Sequence, residues 1–227
     1  MKRRLLFTAA LASVTLSLLA QSATAAPTKV ACVGDSITAG AGVKDPAKRY
    51  PTQLGVLLGD KYEVKNFGVS GATMLDNGDK PYKKENAYTQ ALAYVPDIVV
   101  IKLGTNDSKP QNWAKKEGFA ASTKSLVEAF LKANPKAHVY LCTPAPVIGK
   151  GNFGIREEIV KPEVIPLVND VAKEMKLEVI DIYSALSGKD ALIPDKVHPN
   201  DEGAGIIAKT VHEALAKKPA KKSALDR

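Results

Sequence analysis

Five short apolar runs divide this chain, and each is followed by a segment with helical periodicity. The runs cover residues 29–34, 64–68, 97–103, 137–142 and 178–182. Apolar runs of this length, bounded by glycine and polar residues, predict strands that are buried on both faces. The periodic segments predict helices over 50–58, part of 87–94, 115–133, 161–175 and 201–216. This alternation predicts an α/β domain, a parallel sheet with helices on both faces.

The first 25 residues have the pattern of an export signal. A basic start at residues 2–4 precedes an apolar stretch over 5–20, and Ala23-Thr24-Ala25 supplies small residues for cleavage. This pattern predicts a signal peptide over 1–25 and a secreted or periplasmic protein without stable membrane insertion. A single membrane anchor is the alternative.

Positive charge is concentrated outside the predicted domain. The formal charge of +8 includes three basic residues in the signal peptide and a net four charges in residues 217–227, which are predicted to form a basic, disordered tail. Residues 26–216 are long enough for one domain and keep a charge of about +1. A nucleic-acid-binding domain is expected to carry a basic face of its own. The sequence therefore predicts no nucleic-acid partner.

Three polar motifs follow apolar runs or lie in a late loop. The sequence GDSI occupies residues 34–37, GTND occupies 104–107 and DKVH occupies 195–198. In parallel α/β sheets the carboxyl ends of the strands share one edge, where ligands bind. The motifs are therefore expected to bring a hydroxyl, an amide and a histidine with a carboxylate to one edge. That set of groups predicts a serine hydrolase.

Ser36 is the candidate nucleophile. A serine hydroxyl needs a base to take its proton and donors to receive the oxyanion. Gly34 lets the chain turn tightly after the first run, and the Ser36 N–H can point into the site. A simple helix cap by Asp35 and Ser36 is the alternative interpretation. Ser70 is a weaker candidate because its context, Gly-Val-Ser-Gly-Ala, lacks the last glycine of a nucleophile elbow.

Asn106 and Gly71 are candidate oxyanion donors, and His198 is the candidate base. The Asn106 side-chain amide follows the third run, and the Gly71 N–H lies in the turn after the second. An Asx turn and a simple turn glycine are the respective alternatives. Asp195 stands three residues before His198 in a loop bounded by prolines. That spacing lets the carboxylate accept the Nδ1 proton and leaves Nε2 free to face Ser36.

These motifs resemble the sequence blocks of the SGNH, or GDSL, hydrolase superfamily. The block residues are matched in order by Ser36, Gly71, Asn106 and His198, and Asp195 matches the family's Asp-x-x-His. The resemblance implies a flavodoxin-like three-layer α/β/α sandwich with five parallel strands in the order 2-1-3-4-5. It implies ester hydrolysis by Ser36, His198 and Asp195 without a metal or cofactor. The implied oxyanion hole consists of the Ser36 N–H, the Gly71 N–H and the Asn106 amide.

Residues 102–113 and 193–200 are similar to bacterial secreted carbohydrate acetylesterases, including sialate O-acetylesterase-like proteins. The implied substrate is an acetylated carbohydrate or another small ester. Lysophospholipases and arylesterases share the main blocks and are the alternative, and a non-catalytic glycan-binding protein is a further one. The chain has no long apolar segment that would cover an acyl chain. Aromatic residues suited to sugar rings, or to packing, lie in or near the edge loops, namely Tyr82, Tyr88, Trp113 and Phe153.

Other residues flank the motifs. Candidate substrate contacts are Asp35, Asp107, Trp113 and Arg156. Packing is the alternative for Trp113, and a surface ion pair with a neighbouring glutamate is the alternative for Arg156. Lys102 ends an otherwise apolar run, where an unpaired charge is costly. We therefore expect Lys102 to pair with Asp35 or Asp107.

The chain contains two cysteines and three histidines. Cys32 and Cys142 lie in the first and fourth runs, which the order 2-1-3-4-5 separates by one strand. Their separation is then about 9 to 10 Å, whereas a disulfide spans Cα atoms up to about 7 Å apart. Two buried free thiols are predicted. The histidines do not have metal-ligand spacing, so no metal site is predicted.

Overall fold

The computed structural model describes residues 26–217, so the predicted signal peptide and residues 218–227 of the predicted tail lie outside the described residues. The strands in this range are β1 (Thr28–Gly34), β2 (Tyr62–Gly68), β3 (Ile98–Lys102), β4 (His138–Cys142) and β5 (Glu178–Ile180). The helices are α1 (Ser36–Ala39), α2 (Tyr50–Leu58), α3 (Asn86–Ala93), α4 (Pro110–Trp113), α5 (Phe119–Ala133), α6 (Glu157–Ile159), α7 (Ile165–Glu174), α8 (Ile182–Leu186) and α9 (Asp201–Ala216). Not one of these helices has the length and apolar content needed to cross a membrane.

The five strands form one parallel sheet in the order β2-β1-β3-β4-β5. This confirms the predicted α/β class and strand order. Successive side chains of a strand point to opposite faces, and in β1 Ala31 and Val33 enter one core while Val30 and Cys32 enter the other. Burial on both faces is the reason that this strand is a continuous apolar run.

Helices cover both faces of the sheet and complete the three layers. One face is covered by α3, α5 and α7, and the other by α2, α8 and α9. The helix residues buried in the two cores include Ala91, Phe130 and Val168 on one face and Leu54, Leu186 and Ile207 on the other.

The long helices follow the sequence pattern closely, and the short ones do not. The helices predicted over 50–58 and 201–216 match α2 and α9, and the helix predicted over 115–133 begins at Phe119. Four short helices lie outside the predicted helical segments: α4, α6 and α8 were not anticipated, and α1 entered only as the helix of the alternative cap interpretation at Asp35 and Ser36. They have three to five residues each, which is too few for a periodic apolar pattern.

The helix predicted over 161–175 has an irregular start. Val160–Val164 forms a π-helical turn, and α7 continues from it. Pro162 and Pro166 fall in or next to this turn. Because proline has no N–H, it cannot donate the hydrogen bond of a regular α-helix, and the turn accommodates that loss with wider spacing.

Cys32 and Cys142 are buried free thiols, as predicted. β3 lies between the strands that carry them. Burial raises the pKa of both thiols to about 12. Both are therefore neutral side chains of the core near pH 7.

Candidate active site

The residues of the predicted site meet at the carboxyl edge of the sheet. Gly34 of β1 is in register with Gly68 of β2 and with Lys102 of β3. These strands end at the same level, so the loops that follow them start side by side. The site residues carried by these loops and by the loop before α9 are Ser36, Gly71, Asn106 and His198.

Ser36 follows β1 through a turn that needs glycine at position 34. A Cβ atom on Gly34 would lie 2.7 Å from the Lys102 carbonyl oxygen, too close for any other residue. Asp35 caps α1, because its Oδ1 accepts a hydrogen bond from a backbone N–H of that helix at 3.0 Å. Capping therefore falls to Asp35, and the Ser36 hydroxyl is free for another partner.

Ser36, His198 and Asp195 form a hydrogen-bonded chain. Ser36 Oγ lies 2.9 Å from His198 Nε2, and His198 Nδ1 lies 2.6 Å from Asp195 Oδ2. An ionised carboxylate only accepts hydrogen bonds, so Nδ1 carries the proton and Nε2 of the neutral ring accepts from the Ser36 hydroxyl. In this protonation state a histidine can take a proton from a serine.

The Asp195 carboxylate is oriented by its own loop. Its Oδ1 accepts hydrogen bonds from the Val197 N–H at 3.0 Å and the His198 N–H at 2.6 Å. Burial by itself would raise the pKa of Asp195, but the hydrogen bonds from the backbone and from the His198 ring outweigh it and hold the pKa below its usual range. Asp195 is therefore ionised at neutral pH and fixed against the imidazole.

The three donors of the predicted oxyanion hole each keep an N–H hydrogen that has no acceptor within residues 26–217. Ser36 is the first residue of α1, and the first N–H groups of a helix have no acceptor within that helix. The Gly71 N–H donates to no acceptor within residues 26–217, and its φ of +83° is one that glycine adopts readily. Asn106 Nδ2 donates one hydrogen to the Ala72 carbonyl at 3.1 Å, which leaves its second hydrogen for a ligand. Free N–H donors of this kind are what an oxyanion hole requires.

Asp35 and Asp107 are fully buried, which corrects the expectation that they contact substrate. Asp107 accepts hydrogen bonds from the Leu75 N–H at 2.8 Å and the Met74 N–H at 2.9 Å. Asp35 Oδ1 lies 3.4 Å from Lys102 Nζ, which confirms that Lys102 pairs with one of these carboxylates. Both carboxylates support the backbone around the site and offer no surface to a ligand.

Trp113 and Arg156 also hold protein segments together. Trp113 is 6% exposed, and its Nε1 donates to Glu163 Oε2 at 2.9 Å. The expected substrate contact at Trp113 is therefore replaced by packing. Arg156 Nε donates to the Ser108 carbonyl at 2.7 Å, and its backbone N–H donates to the Ser108 hydroxyl at 3.0 Å. Arg156 thereby joins the loop after β4 to the segment that follows Asn106.

Asn112 is a buried site residue that the sequence reasoning does not identify. Its Nδ2 donates to the Asn106 carbonyl at 2.9 Å and to Asp79 Oδ1 at 2.9 Å, while its own Oδ1 accepts from the Asp79 N–H at 2.7 Å. These bonds fix Asn106 to the long loop after β2. The sequence signal for Asn112 is its place in the segment 102–113, which resembles carbohydrate acetylesterases, but that resemblance assigns it no role.

The other two histidines lie away from Ser36. His138 is the first residue of β4 and so lies at the amino ends of the strands, away from the carboxyl ends that carry the site. His212 lies in α9. Residues 26–217 contain no group of three or more histidine, cysteine, aspartate or glutamate side chains that could hold a metal ion.

The sequence family follows from comparison with known proteins. The model of the GDSL-like lipase/acylhydrolase family matches residues 32–206. The chain belongs to that family. The matched range includes the predicted site residues Ser36, Gly71, Asn106, Asp195 and His198.

One curated relative and two solved structures illustrate the similarity. An acetylxylan esterase of Xylanibacter ruminicola is 41% identical over 206 residues, which cover 82% of this chain and 43% of that protein. The chain thus spans less than half the length of this relative. A carbohydrate acetylesterase from Sinorhizobium meliloti has a TM-score of 0.69 and 25% identity, with 83% of this chain and 98% of that chain covered. The M. smegmatis aryl esterase has a TM-score of 0.67 and 22% identity over the same shares, and shows the fold alone.

Proposed function

We propose that this protein is a serine esterase that removes acetyl groups from a carbohydrate, with acetylated xylan as the first candidate substrate. The chain of hydrogen bonds from Ser36 through His198 to Asp195 is the observation that carries the proposal. Membership of the GDSL-like family supports ester hydrolysis. The relatives described as an acetylxylan esterase and a carbohydrate acetylesterase support the choice of acyl group and of substrate class.

Acylation begins with proton transfer from Ser36 Oγ to His198 Nε2. Oγ then bonds to the acetyl carbonyl carbon, and the carbonyl oxygen becomes an oxyanion. The N–H groups of Ser36 and Gly71 and the side chain of Asn106 donate hydrogen bonds to that oxygen. Collapse of the intermediate breaks the bond to the sugar oxygen, which takes the proton from Nε2 and leaves as a hydroxyl.

Deacylation repeats these steps with water. His198 Nε2 takes a proton from a water molecule, whose oxygen attacks the acetyl-Ser36 carbonyl. The same three donors bind the second oxyanion. Its collapse returns the proton from His198 to Ser36 Oγ and releases acetic acid, which ionises to acetate in solution. Asp195 stays ionised throughout and stabilises the imidazolium that forms in each half of the reaction.

Export is a separate part of the proposal. We place a signal peptide at residues 1–25 and the enzyme outside the cytoplasm, because a basic start, an apolar stretch and the Ala23-Thr24-Ala25 site occur in the order that export requires. An acetylated polysaccharide is too large to enter a cell, so an enzyme acting on it has to be exported. Mass spectrometry of the protein recovered from a secreting host should show a chain that begins at Ala26.

Acetate release by the purified protein tests the function. We expect acetate from acetylated xylan, and a loss of nearly all release in Ser36→Ala. Ser70→Ala is the matched control, since Ser70 is an exposed serine of a neighbouring loop and its variant should keep full activity. Acetylated sialic acid and a lysophospholipid serve as competing substrates. Fatty acid without acetate would favour a lysophospholipase, and no Ser36-dependent release from any ester would favour a glycan-binding protein.

A further inference from the structure

An exposed aromatic ring stands beside the candidate base. Phe153 is 57% exposed, and its ring centroid lies 5.5 Å from that of His198 at an interplanar angle of 48°. The other large apolar side chains that are exposed within residues 26–217 are Val56, Leu57 and Val95, which lie in α2 or just before β3. Phe153 is therefore set apart from them by its ring and by its place at the active site.

The loop that carries Phe153 is anchored on both sides of the ring. Val147 and Ile155 are buried in a small core with Val197, the residue before His198. The Ile148 N–H also donates to the Lys196 carbonyl at 2.9 Å. The loop after β4 and the loop of the base are thus packed together, which fixes the backbone on both sides of Phe153.

The backbone at Phe153 adopts a conformation that is unfavourable for an aromatic residue. Its φ is +56°, in the left-handed region, and its N–H donates to the Asn152 side chain at 3.0 Å. The neighbouring Gly151 and Gly154 also have positive φ values, of +72° and +76°. Glycine would suit position 153 equally well on backbone grounds. A phenylalanine that is both strained and exposed indicates a function for the ring.

Two of the other aromatic candidates are buried, and the third is less exposed than Phe153. Tyr82 is buried and its hydroxyl donates to the Phe67 carbonyl at 2.8 Å, and Trp113 is buried against Phe119. Of the aromatic side chains considered from the sequence, Phe153 has the largest exposed surface, since Tyr88 is only partly exposed.

Polar side chains lie beside the loop that carries Phe153. A Cβ on Gly154 would lie 3.7 Å from Lys109 Cγ, so the loop passes beside that lysine. Lys109 Nζ lies 3.8 Å from Asp79 Oδ2, which also accepts from Gln111 Nε2 at 2.9 Å. A long acyl chain needs continuous apolar walls, whereas a sugar ring needs one apolar surface and hydrogen-bonding groups around it. The surroundings of Phe153 fit the sugar.

We propose that Phe153 is the platform on which a neutral pyranose ring of the substrate stacks while its acetyl group faces Ser36. This inference rests on the proposed esterase function and names the group that would determine its specificity for carbohydrate. The C–H face of a pyranose covers the exposed face of the phenyl ring, as apolar surfaces do at aromatic contacts. In this proposal the hydroxyl groups of the sugar meet Lys109, which lies beside Gly154, and the Asp79 and Gln111 side chains that are linked to it.

Steady-state kinetics on two acetyl esters test the platform. For an acetylated xylo-oligosaccharide, Phe153→Ala should raise KM about tenfold, which corresponds to about 1.4 kcal/mol of lost binding. Glyceryl triacetate has no ring to stack. In Phe153→Ala the fall in kcat/KM for glyceryl triacetate should therefore be at least fivefold smaller than the fall in kcat/KM for the oligosaccharide. Phe153→Trp keeps an aromatic ring, so its KM for the oligosaccharide should stay close to that of the unmodified protein. Leu57→Ala, which removes an apolar side chain 47% exposed on α2, should change neither substrate. Equal losses on both esters, or no loss on the oligosaccharide, would overturn the platform.

A binding measurement separates this inference from the proposed function. Unacetylated xylohexaose is titrated calorimetrically into Ser36→Ala and into the same protein with Phe153→Ala added. We expect measurable binding that weakens about tenfold without the ring. An absence of binding to Ser36→Ala, or the same affinity in both proteins, would overturn the platform even if acetate release succeeds. Failure of acetate release from every carbohydrate would overturn the esterase function while the titration still decides the platform.

Discussion

Carboxylates next to the motif residues of this site differ in role because they differ in burial. Asp35 and Asp107 directly flank Ser36 and Asn106, yet both are fully buried. Asp195 is three residues from His198, and its side chain is 36% exposed. The two buried carboxylates bond to backbone N–H groups and to Lys102, whereas the partly exposed Asp195 bonds to the His198 imidazole. Closeness in sequence to a reactive residue therefore does not decide what a carboxylate does.

The same difference appears in the pKa values. Burial raises the pKa of Asp107 to about 7, although the Leu75 and Met74 N–H groups act in the opposite direction. Burial also acts to raise the pKa of Asp195, but it is weaker there, and hydrogen bonds lower the pKa overall. Charge is thus disfavoured at one aspartate and favoured at the other.

The largest expected effect concerns Asp195 as the orienting carboxylate. Asp195→Ala should lower kcat about 10³- to 10⁴-fold, because the imidazole loses the partner that fixes its tautomer and stabilises its charge. Its free energy of unfolding in urea should change by no more than about 1 kcal/mol, as the group is partly exposed. His198→Ala should lose more activity than Asp195→Ala. Equal losses in the two variants would contradict the division of roles.

The next effect concerns the buried ion pair. Lys102→Met should lower the free energy of unfolding by about 3 to 5 kcal/mol, because it leaves the Asp35 carboxylate buried without its partner. Urea unfolding followed by circular dichroism measures the change. The matched variant Lys102→Met with Asp35→Asn should recover at least half of it. A loss below about 1 kcal/mol in the single variant would show that the pair contributes little.

Asp107→Ala should act on stability, with a defined pH dependence. At pH 5 we expect a loss of about 2 to 4 kcal/mol, since the buried N–H groups of Met74 and Leu75 lose their acceptor. The folded-state pKa is raised to about 7, so the native state favours the protonated carboxyl. The contribution of Asp107 to stability is therefore greatest below its unfolded pKa and declines as the pH rises through 7. Unfolding of both proteins at pH 5 and pH 8 gives the comparison, and a larger loss at pH 8 would contradict it.

The smallest effect is the pH dependence of stability at Asp195, where solvent screens the interactions. Its folded-state pKa is lowered, so its stabilising contribution is present above the unfolded pKa, near 4, and is lost as the pH falls through the folded pKa. The difference in unfolding free energy between the protein and Asp195→Ala should shrink from pH 5 to pH 2. This trend is opposite in sign to that of Asp107, and a difference that grows on acidification would argue against it.

Most of the fold could be predicted from the sequence because its signals are local. The five apolar runs locate the strands to within two residues at each end, and α2 and α9 match the predicted helices. The prediction of free thiols at Cys32 and Cys142 rested instead on the strand order that the family resemblance implies, together with the spacing between strands. The short helices and the π-helical turn at Val160–Val164 escaped prediction, since they depend on caps and prolines rather than on an apolar period.

The candidate site was predictable as a set of residues but not as a set of roles. The motifs identify Ser36, His198 and Asp195, and the structure brings them within hydrogen-bonding distance. The substrate contacts expected at Asp107 and Trp113 are not available because both side chains are buried. Exposure depends on segments that are distant in the chain, such as the loop at Met74 that covers Asp107.

By itself the sequence determined the α/β layering, the family and the groups available for chemistry. Each apolar run and each motif is a pattern of neighbouring residues, so it can be recognised without knowledge of the fold. Only the tertiary structure decided which carboxylates are buried, which lysine pairs with one of them and which exposed aromatic ring lies beside His198. The physical reason is that the burial of a side chain depends on contacts with segments that are far apart from it in the chain. The Asp107 bonds to Met74 and Leu75 span 33 and 32 residues, and the Ser36 bond to His198 spans 162.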